Sequence, residues 1–159
     1  METILAEIQY ALLAKFYYMA VAVSLTLPDI CAALESQSGK TSGPQYKKWY
    51  RDNLAQTFHQ MTDDDCYSLR CGVLHQGRFG HAKSQYDRII FTMPHPVVTL
   101  AEGTVMRDIG GLSENVLRYD ADWSCKEMVS AARRWFSDMQ TDPNVQVNLP
   151  RLVRFRQNG

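Results

Sequence analysis

The sequence predicts a mainly α-helical fold with a small β element placed before the last long helix. Apolar residues recur at three- and four-residue steps through the first half of the chain and again after Asp120, which is the helical period. Between these regions, the stretch from Tyr86 to Tyr119 is rich in β-branched and aromatic residues and contains prolines and paired glycines. The 159 residues are about the size of one average domain, so we expect a single core.

The composition excludes several classes of protein. With 45% hydrophobic and 21% charged residues, the chain is neither a disordered tail nor a low-complexity scaffold. Its 17 basic and 17 acidic side chains cancel, so any contact with nucleic acid must use local patches. The four cysteines are too few and too scattered for a disulfide scaffold, and no secretory pattern precedes them, so we expect reduced thiols and a cytoplasmic location.

One apolar stretch, Tyr10 to Leu27, is long enough to cross a bilayer. Lys15 lies inside it, Glu2 and Glu7 precede it, and Pro28 begins what looks like another helix. We therefore expect no membrane span. A helix that is apolar on nearly all sides is expected instead to be buried within a bundle or between two subunits.

Helices follow one another through the first part of the chain, residues 1–77. The first is predicted from Ile4 to about Leu25, and the second, short one from Ile30 to about Ser36 after Pro28. A polar loop over 37–43 precedes a third helix that begins at Pro44 and ends in the 53–60 region.

A fourth helix is predicted from its capping signals. Thr62 offers a capping hydroxyl, and three aspartates at 63–65 place carboxylates where unpaired backbone N–H groups point. The helix should end near Gly77. Its inward residues are predicted to be Tyr67, Leu69, Val73 and Leu74.

The remaining chain divides into a β element over 86–119, a last long helix over 121–142 and an extended basic tail over 143–159. Strands are predicted at Tyr86 to Met93, at an edge, at Val97 to Met106 and at Val116 to Tyr119, with a break at Gly110-Gly111. Asp122 is the expected cap of the last helix. The tail is predicted to begin at Val145 and carries Arg151, Arg154 and Arg156.

The cysteines of the fourth helix suggest two candidate sites, a metal site and a nucleophile pair, and ordinary packing of buried side chains is the alternative to each. Cys66, Cys71 and His75 share the fourth helix and could ligate a metal, but zinc normally needs further ligands and buried free cysteines are common. Cys71 and His75 could form a nucleophile pair, but no orienting group or oxyanion donor can be named. The chain also lacks phosphate-loop and dinucleotide motifs, so we predict no cofactor and no metal.

The pair Arg70 and His75 suits phosphodiester chemistry, because a guanidinium binds phosphate and an imidazole transfers protons near neutral pH. With 11 arginines and four histidines, an arginine followed by a histidine after four to six residues is expected about 0.8 times by chance. A second match, Arg88 and His95, runs through a predicted strand. The spacing alone therefore does not establish a site, and a capping or core histidine remains the alternative.

Three segments give the pair a context: SLTLPDICAALES, then Tyr46 and Trp49, then DCYSLRCGVLHQG. Together they resemble the small stand-alone HEPN-domain proteins of bacteria, whose mark is an arginine, four to six residues and a histidine on a late helix. The resemblance covers most of the chain and implies a helical bundle that forms a homodimer and often cleaves RNA without metal. It transfers the catalytic roles to Arg70 and His75. One departure is Cys71, since active members often have a polar residue there.

The implied function is an endoribonuclease of the toxin or defence type, with a neutralising protein partner as a possibility. The 2′-hydroxyl would attack the adjacent phosphate and leave a 2′,3′-cyclic phosphate and a 5′-hydroxyl. Because positions five apart on a helix differ by about 140°, Arg70 and His75 do not share a face, and a two-fold partner would have to complete the site. Arg78 is the expected RNA contact. The alternative is a catalytically silent HEPN dimer that binds RNA, a nucleotide or a protein.

Overall fold

Helices make up most of the fold in the computed structural model, which describes residues 1–76, 86–94, 101–109 and 112–153. The helices are α1 (Glu2–Leu13), α2 (Tyr17–Ser24), α3 (Leu27–Glu35), α4 (Gly43–Asn53), α5 (Asp63–Gln76), α6 (Ala121–Asp138) and α7 (Pro143–Asn148). The strands are β1 (Arg88–Thr92), β2 (Glu102–Ile109) and β3 (Leu112–Asp120). The predicted mainly helical class, with a small sheet before the last long helix, is confirmed.

The predicted continuous first helix is wrong, because the chain turns between α1 and α2. Lys15 adopts a left-handed conformation with φ of 62°. The N–H of Lys15 donates to Leu12 O at 3.0 Å and the N–H of Phe16 donates to Ala11 O at 2.8 Å. This pair of bonds is the Schellman arrangement that ends a helix, with lysine in the position where glycine is usual.

The apolar stretch that contains α2 and α3 is divided between core and surface. The segment Tyr17–Glu35 is long and apolar enough to cross a membrane, with mean hydropathy 1.5, but 61% of it is buried inside the fold. Ala20, Val21 and Leu25 belong to the core. Burial of this extent is also what the core helix of a helical bundle shows, so the segment is weak evidence for a span.

Helix α6 lies at the centre of the bundle and contacts α1, α2, α3 and α4. Trp135 of α6 meets Trp49 of α4 edge to face, with ring centroids 6.2 Å apart. The cap of α6 is Asp120, whose carboxylate accepts a hydrogen bond from the N–H of Trp123 at 2.8 Å. The predicted cap, Asp122, instead lies inside the first turn and pairs with Lys126 at 2.6 Å.

The three strands form one sheet in the order β1-β3-β2. Strand β1 pairs with β3 in parallel and β2 pairs with β3 antiparallel, so the predicted edge position of the first strand is confirmed. The predicted strand from Val97 to Met106 overlaps β2, which begins at Glu102, and its first residues, 97–100, lie outside the described residues. Phe58 joins the sheet to α6, because its ring lies 5.5 Å from Tyr119 and 5.2 Å from Trp123.

The predicted extended tail is wrong at its beginning. Residues from Pro143 form α7, capped by Asp142, and a 3-10 turn follows over Leu149–Arg151. Val145 is fully buried and Asn148 nearly so, which shows that this segment packs onto the bundle. Residues 154–159, with Arg154 and Arg156, lie outside the described residues.

Candidate active site on helix α5

Helix α5, which carries Arg70 and His75, begins where its capping signals predict. The N–H of Asp65 donates to the Thr62 hydroxyl at 3.1 Å, and the N–H of Thr62 donates back to the Asp65 carboxylate at 3.1 Å. This reciprocal pair satisfies two N–H groups that would otherwise lack partners. Asp63 and Asp64 form ion pairs with Arg51 and Lys47 of α4, which fixes α5 against its neighbour.

One face of α5 is buried and the opposite face is open. Cys66 and Leu69 are fully buried and Val73 is 3% exposed. Leu74, predicted to point inward, is 41% exposed. It follows Leu69 by five positions, so the helix turns it about 140° away from that buried residue.

The structure separates the three residues weighed as metal ligands. Burial raises the pKa of the Cys66 thiol to about 12, and its sulfur lies 3.2 Å from the hydroxyl of Tyr46. Cys71 is half-buried and His75 is exposed. Across the described parts of the chain, no group of three or more His, Cys, Asp or Glu side chains is arranged to hold a metal ion.

Arg70 forms an ion pair with Asp29 in the first turn of α3. Its Nε lies 2.5 Å from Asp29 Oδ2, and the two side chains are only 23% and 13% exposed, respectively. Among the described residues, its other close contact is weak: Arg70 Nη1 lies 3.8 Å from the Cys71 sulfur. Asp29 therefore fixes the direction of the guanidinium through its Nε edge.

Burial and charge act in opposite directions on this pair. Burial raises the pKa of Asp29 above its ordinary value, and the guanidinium of Arg70 offsets only part of this effect. For Arg70, burial alone would lower the pKa, but the Asp29 carboxylate and the neighbouring Cys71 together raise it above its ordinary value. The guanidinium of Arg70 thus keeps its positive charge in a partly buried position.

His75 lies in the last turn of α5 and is exposed to solvent. No hydrogen bond or ion pair joins it to Arg70 within the residues that the structure describes, as the 140° separation along one helix requires. A contact from α2 reaches this end of the helix, since the Tyr18 hydroxyl donates to Val73 O at 3.4 Å. A single chain therefore presents the arginine and the histidine on different faces of α5.

The structure describes only one of the other three residues named as candidates from the sequence. Arg78 lies in 77–85, outside the described residues. In the second arginine-histidine match, Arg88 pairs with Glu114 on the sheet at 3.0 Å, and His95 lies outside the described residues.

Asp29 is the site residue that the sequence did not single out. An acidic residue in the first turn of a helix is already explained by the helix dipole. For this reason the sequence alone showed no sign of the contact between Asp29 and Arg70, which are 41 residues apart. The available signal was that Asp29 lies in SLTLPDICAALES, the first of the three segments that carry the HEPN resemblance.

Comparisons of the chain with protein-family models, with curated proteins and with solved structures found no match.

Proposed function

We propose that this chain is a metal-independent endoribonuclease of the HEPN type that acts as a homodimer. The observation that carries the proposal is the placement of Arg70. Its guanidinium is held by Asp29 of α3, and its own helix, α5, exposes His75 in the last turn. These two residues are the arginine and the histidine of the motif on which the resemblance rests.

Arg70 is positioned to bind a phosphate. Asp29 occupies its Nε, and Nη1 has only a weak contact with the Cys71 sulfur, so in the described residues the terminal nitrogens retain donors for the non-bridging oxygens of a phosphodiester. Those oxygens gain negative charge in the transition state, and a donor fixed beforehand stabilises that charge without reorganisation. Asp29 acts through Arg70 and is therefore a positioning residue.

His75 supplies the proton transfers. Its imidazole takes the proton of the ribose 2′-hydroxyl, the 2′-oxygen attacks the adjacent phosphorus, and the bond to the 5′-oxygen breaks. A second histidine, from the partner protomer, donates a proton to that leaving oxygen. The products are a 2′,3′-cyclic phosphate and a 5′-hydroxyl, and DNA is not a substrate because it lacks the attacking group.

An exposed apolar patch supports the dimer. The patch consists of five large side chains at the junction of α1 and α2, each between 52% and 79% exposed: Tyr10, Leu13, Phe16, Tyr18 and Met19. Since a buried aromatic side chain covers about 150–250 Å², the five together offer on the order of 600 Å². A standard interface takes about 800 Å² from each partner, so this patch supplies most of what a second copy would bury.

The patch also lies on the side of the molecule that needs a partner. Tyr18 belongs to the patch and touches Val73, which is two residues from His75, and the exposed Leu74 lies between them. A two-fold contact through the patch would bring the last turns of two α5 helices towards each other. That arrangement would place the His75 of one copy near the Arg70 of the other.

A catalytically silent RNA-binding dimer is the second candidate. It is favoured by the ion pair itself, because a guanidinium already neutralised by Asp29 attracts phosphate less strongly than a free one. Cys71, which takes the place of the polar residue common in active members, also favours it.

Cleavage of RNA in the presence of a chelator tests the proposal. Purified wild type should cut single-stranded RNA in EDTA and leave 2′,3′-cyclic phosphate ends, and His75→Ala should lower the rate by about 10²–10⁴-fold. Arg70→Ala should lower it by about 10²–10³-fold. His59→Ala is the matched control, since the side chain of His59 is 75% exposed and lies apart from α5 near Glu102. Equal rates in all four proteins would overturn the catalytic assignment, and RNA binding without cleavage would favour the silent dimer.

A further inference from the structure

A groove lies beside α3. It has a volume of about 500 Å³ and is bounded by α3, by the loop at 39–41 and by the end of α7 with the turn that follows. Asp29, whose carboxylate holds Arg70, is one of its lining residues. Its size lies within the range of small-molecule pockets, and it is large enough for one nucleotide.

The groove combines an apolar wall with a basic rim. Ile30, Leu34 and Leu152 contribute to the wall, whereas Lys40 and Arg151 supply positive charge. The negative charge of Asp29 is compensated by Arg70. The groove therefore has a net positive charge at its rim and an apolar wall. A flat, weakly polar group such as a base can pack against this wall.

Arg151 is held in place by a buried amide. Asn148, which is 3% exposed, donates from Nδ2 to Ser36 O at 2.8 Å and to Leu34 O at 3.1 Å, and its Oδ1 accepts from Arg151 Nη1 at 2.9 Å. Gly39 closes against the same two residues, since a Cβ on it would lie 2.6 Å from Asn148 Oδ1 and 2.7 Å from Arg151 Nη1. The guanidinium is thus oriented before any ligand arrives, which lowers the entropic cost of binding.

The two cations of the rim are free to meet a ligand. In the described portion of the chain, neither Lys40 nor Arg151 forms an ion pair with a carboxylate. Arg151 uses one terminal nitrogen on Asn148, and its other donors remain. A fixed guanidinium beside a flexible ammonium is an arrangement that suits phosphate.

We propose that this groove binds one nucleotide of single-stranded RNA, with a phosphate between Arg151 and Lys40 and the base against the apolar wall. This inference rests on the proposed function in one respect, namely that RNA is the ligand. Asp29 lines the groove and also holds Arg70, so the groove neighbours the candidate catalytic arginine. The groove is then a substrate subsite adjacent to the cleavage point.

Binding of a non-cleavable RNA tests the subsite separately from catalysis. The probe is a fluorescein-labelled single-stranded oligonucleotide with 2′-O-methyl groups throughout, measured by anisotropy at several salt concentrations. Arg151→Gln should weaken binding by about tenfold, because a hydrogen bond to a charged group is lost. Lys40→Gln should also weaken it, and each substitution should lower the slope of log K against log salt by about 0.7, the value for one phosphate contact on a single strand.

Arg134→Gln is the matched control. Arg134 also lacks a carboxylate partner among the residues described and donates to the hydroxyl of Ser130 at 2.8 Å, but it lies on α6. It should bind the probe within about twofold of wild type. Thermal unfolding of each variant shows whether the fold is kept, and Lys40→Gln provides the test if Arg151→Gln unfolds, because Lys40 is exposed.

The outcomes separate the subsite from the nuclease. Unchanged affinity in Arg151→Gln and Lys40→Gln, or an equal loss in Arg134→Gln, would overturn the subsite even if the wild type cleaves RNA. Loss of affinity only in the two groove variants would support the subsite even if His75→Ala cleaves normally, in which case the nuclease proposal fails. A wild type that does not bind the probe would overturn the subsite outright.

Discussion

The carboxylate of Asp29 lies 2.5 Å from Nε of Arg70, and this contact joins the first turn of α3 to the middle of α5. Both partners are mostly shielded from water, so removal of one partner leaves the other charge poorly solvated. The same contact sets the direction in which the guanidinium is presented.

Asp29→Ala should therefore destabilise the protein by about 1–3 kcal/mol, because it leaves Arg70 without its charged partner. Urea unfolding measures this loss. Asp52→Ala is the control, since Asp52 is 52% exposed and pairs with Lys48 on the surface of α4, and it should cost at most about 0.5 kcal/mol. Equal losses in the two variants would show that the Asp29 contact has no special weight.

The pH dependence of stability should distinguish wild type from Asp29→Asn. Burial raises the pKa of Asp29 above 3.8, so the folded state binds this proton more tightly than the unfolded state. The contribution of this residue to stability is fully present below 3.8 and is lost as the pH rises through the folded pKa. Urea unfolding from pH 7 down to 4 should show wild type gaining relative to Asp29→Asn, and a shift in the opposite direction would contradict the assigned pKa.

Lys15→Gly should stabilise the protein by about 1 kcal/mol, because a left-handed conformation strains a side chain with a Cβ and not glycine. Lys15 holds this conformation at the end of α1, with φ of 62°, and is exposed. Lys15→Ala removes the same charge but keeps the Cβ, so it should give no gain in thermal unfolding. A gain of equal size in both variants would indicate an effect of charge instead.

Gly39→Ala should destabilise the protein by about 1–3 kcal/mol. The backbone at Gly39 has φ of 69°, and the new methyl group would overlap Asn148 and Arg151. Gly43→Ala serves for comparison, because a Cβ there would lie 3.1 Å from the Tyr67 ring without a left-handed backbone, and it should cost less. A larger loss of unfolding free energy in Gly43→Ala than in Gly39→Ala, measured by chemical denaturation, would contradict the close contact of Gly39 with Asn148 and Arg151.

Leu13→Asp should convert the proposed dimer to a monomer, since it places a charge in the patch of Tyr10, Leu13, Phe16, Tyr18 and Met19. Leu13 is 79% exposed, so the substitution should leave the fold of the protomer intact. Light scattering after size exclusion measures the mass, and Val147→Asp, at an exposed position on α7, should remain dimeric. A monomeric wild type at micromolar concentration would remove the support for a dimeric site, and a dimeric Leu13→Asp would remove this patch as its interface.

The parts of the fold that the sequence predicted correctly depend on local interactions. The capping residue Thr62, the prolines at 28 and 44 and the helical repeat after Asp120 act within a few residues, so they mark α3, α4, α5 and α6 without knowledge of the rest of the chain. One wrong prediction, the continuous first helix, also has a local cause. Lys15 breaks a helix in a conformation that lysine rarely adopts, and the period of apolar residues continues across the break.

Local patterns along the chain were enough to predict the helical class, the short sheet before the last helix and the spacing that sets Arg70 and His75 on different faces of one helix. Three features depend on how the helices pack. Asp29 contacts Arg70, and Asn148 links α7 to the end of α3 by hydrogen bonds. The apolar patch at the junction of α1 and α2 stays exposed. The physical reason is that each of these features joins or exposes side chains far apart in the chain, and their meeting depends on how every helix packs. No spacing rule carries that information.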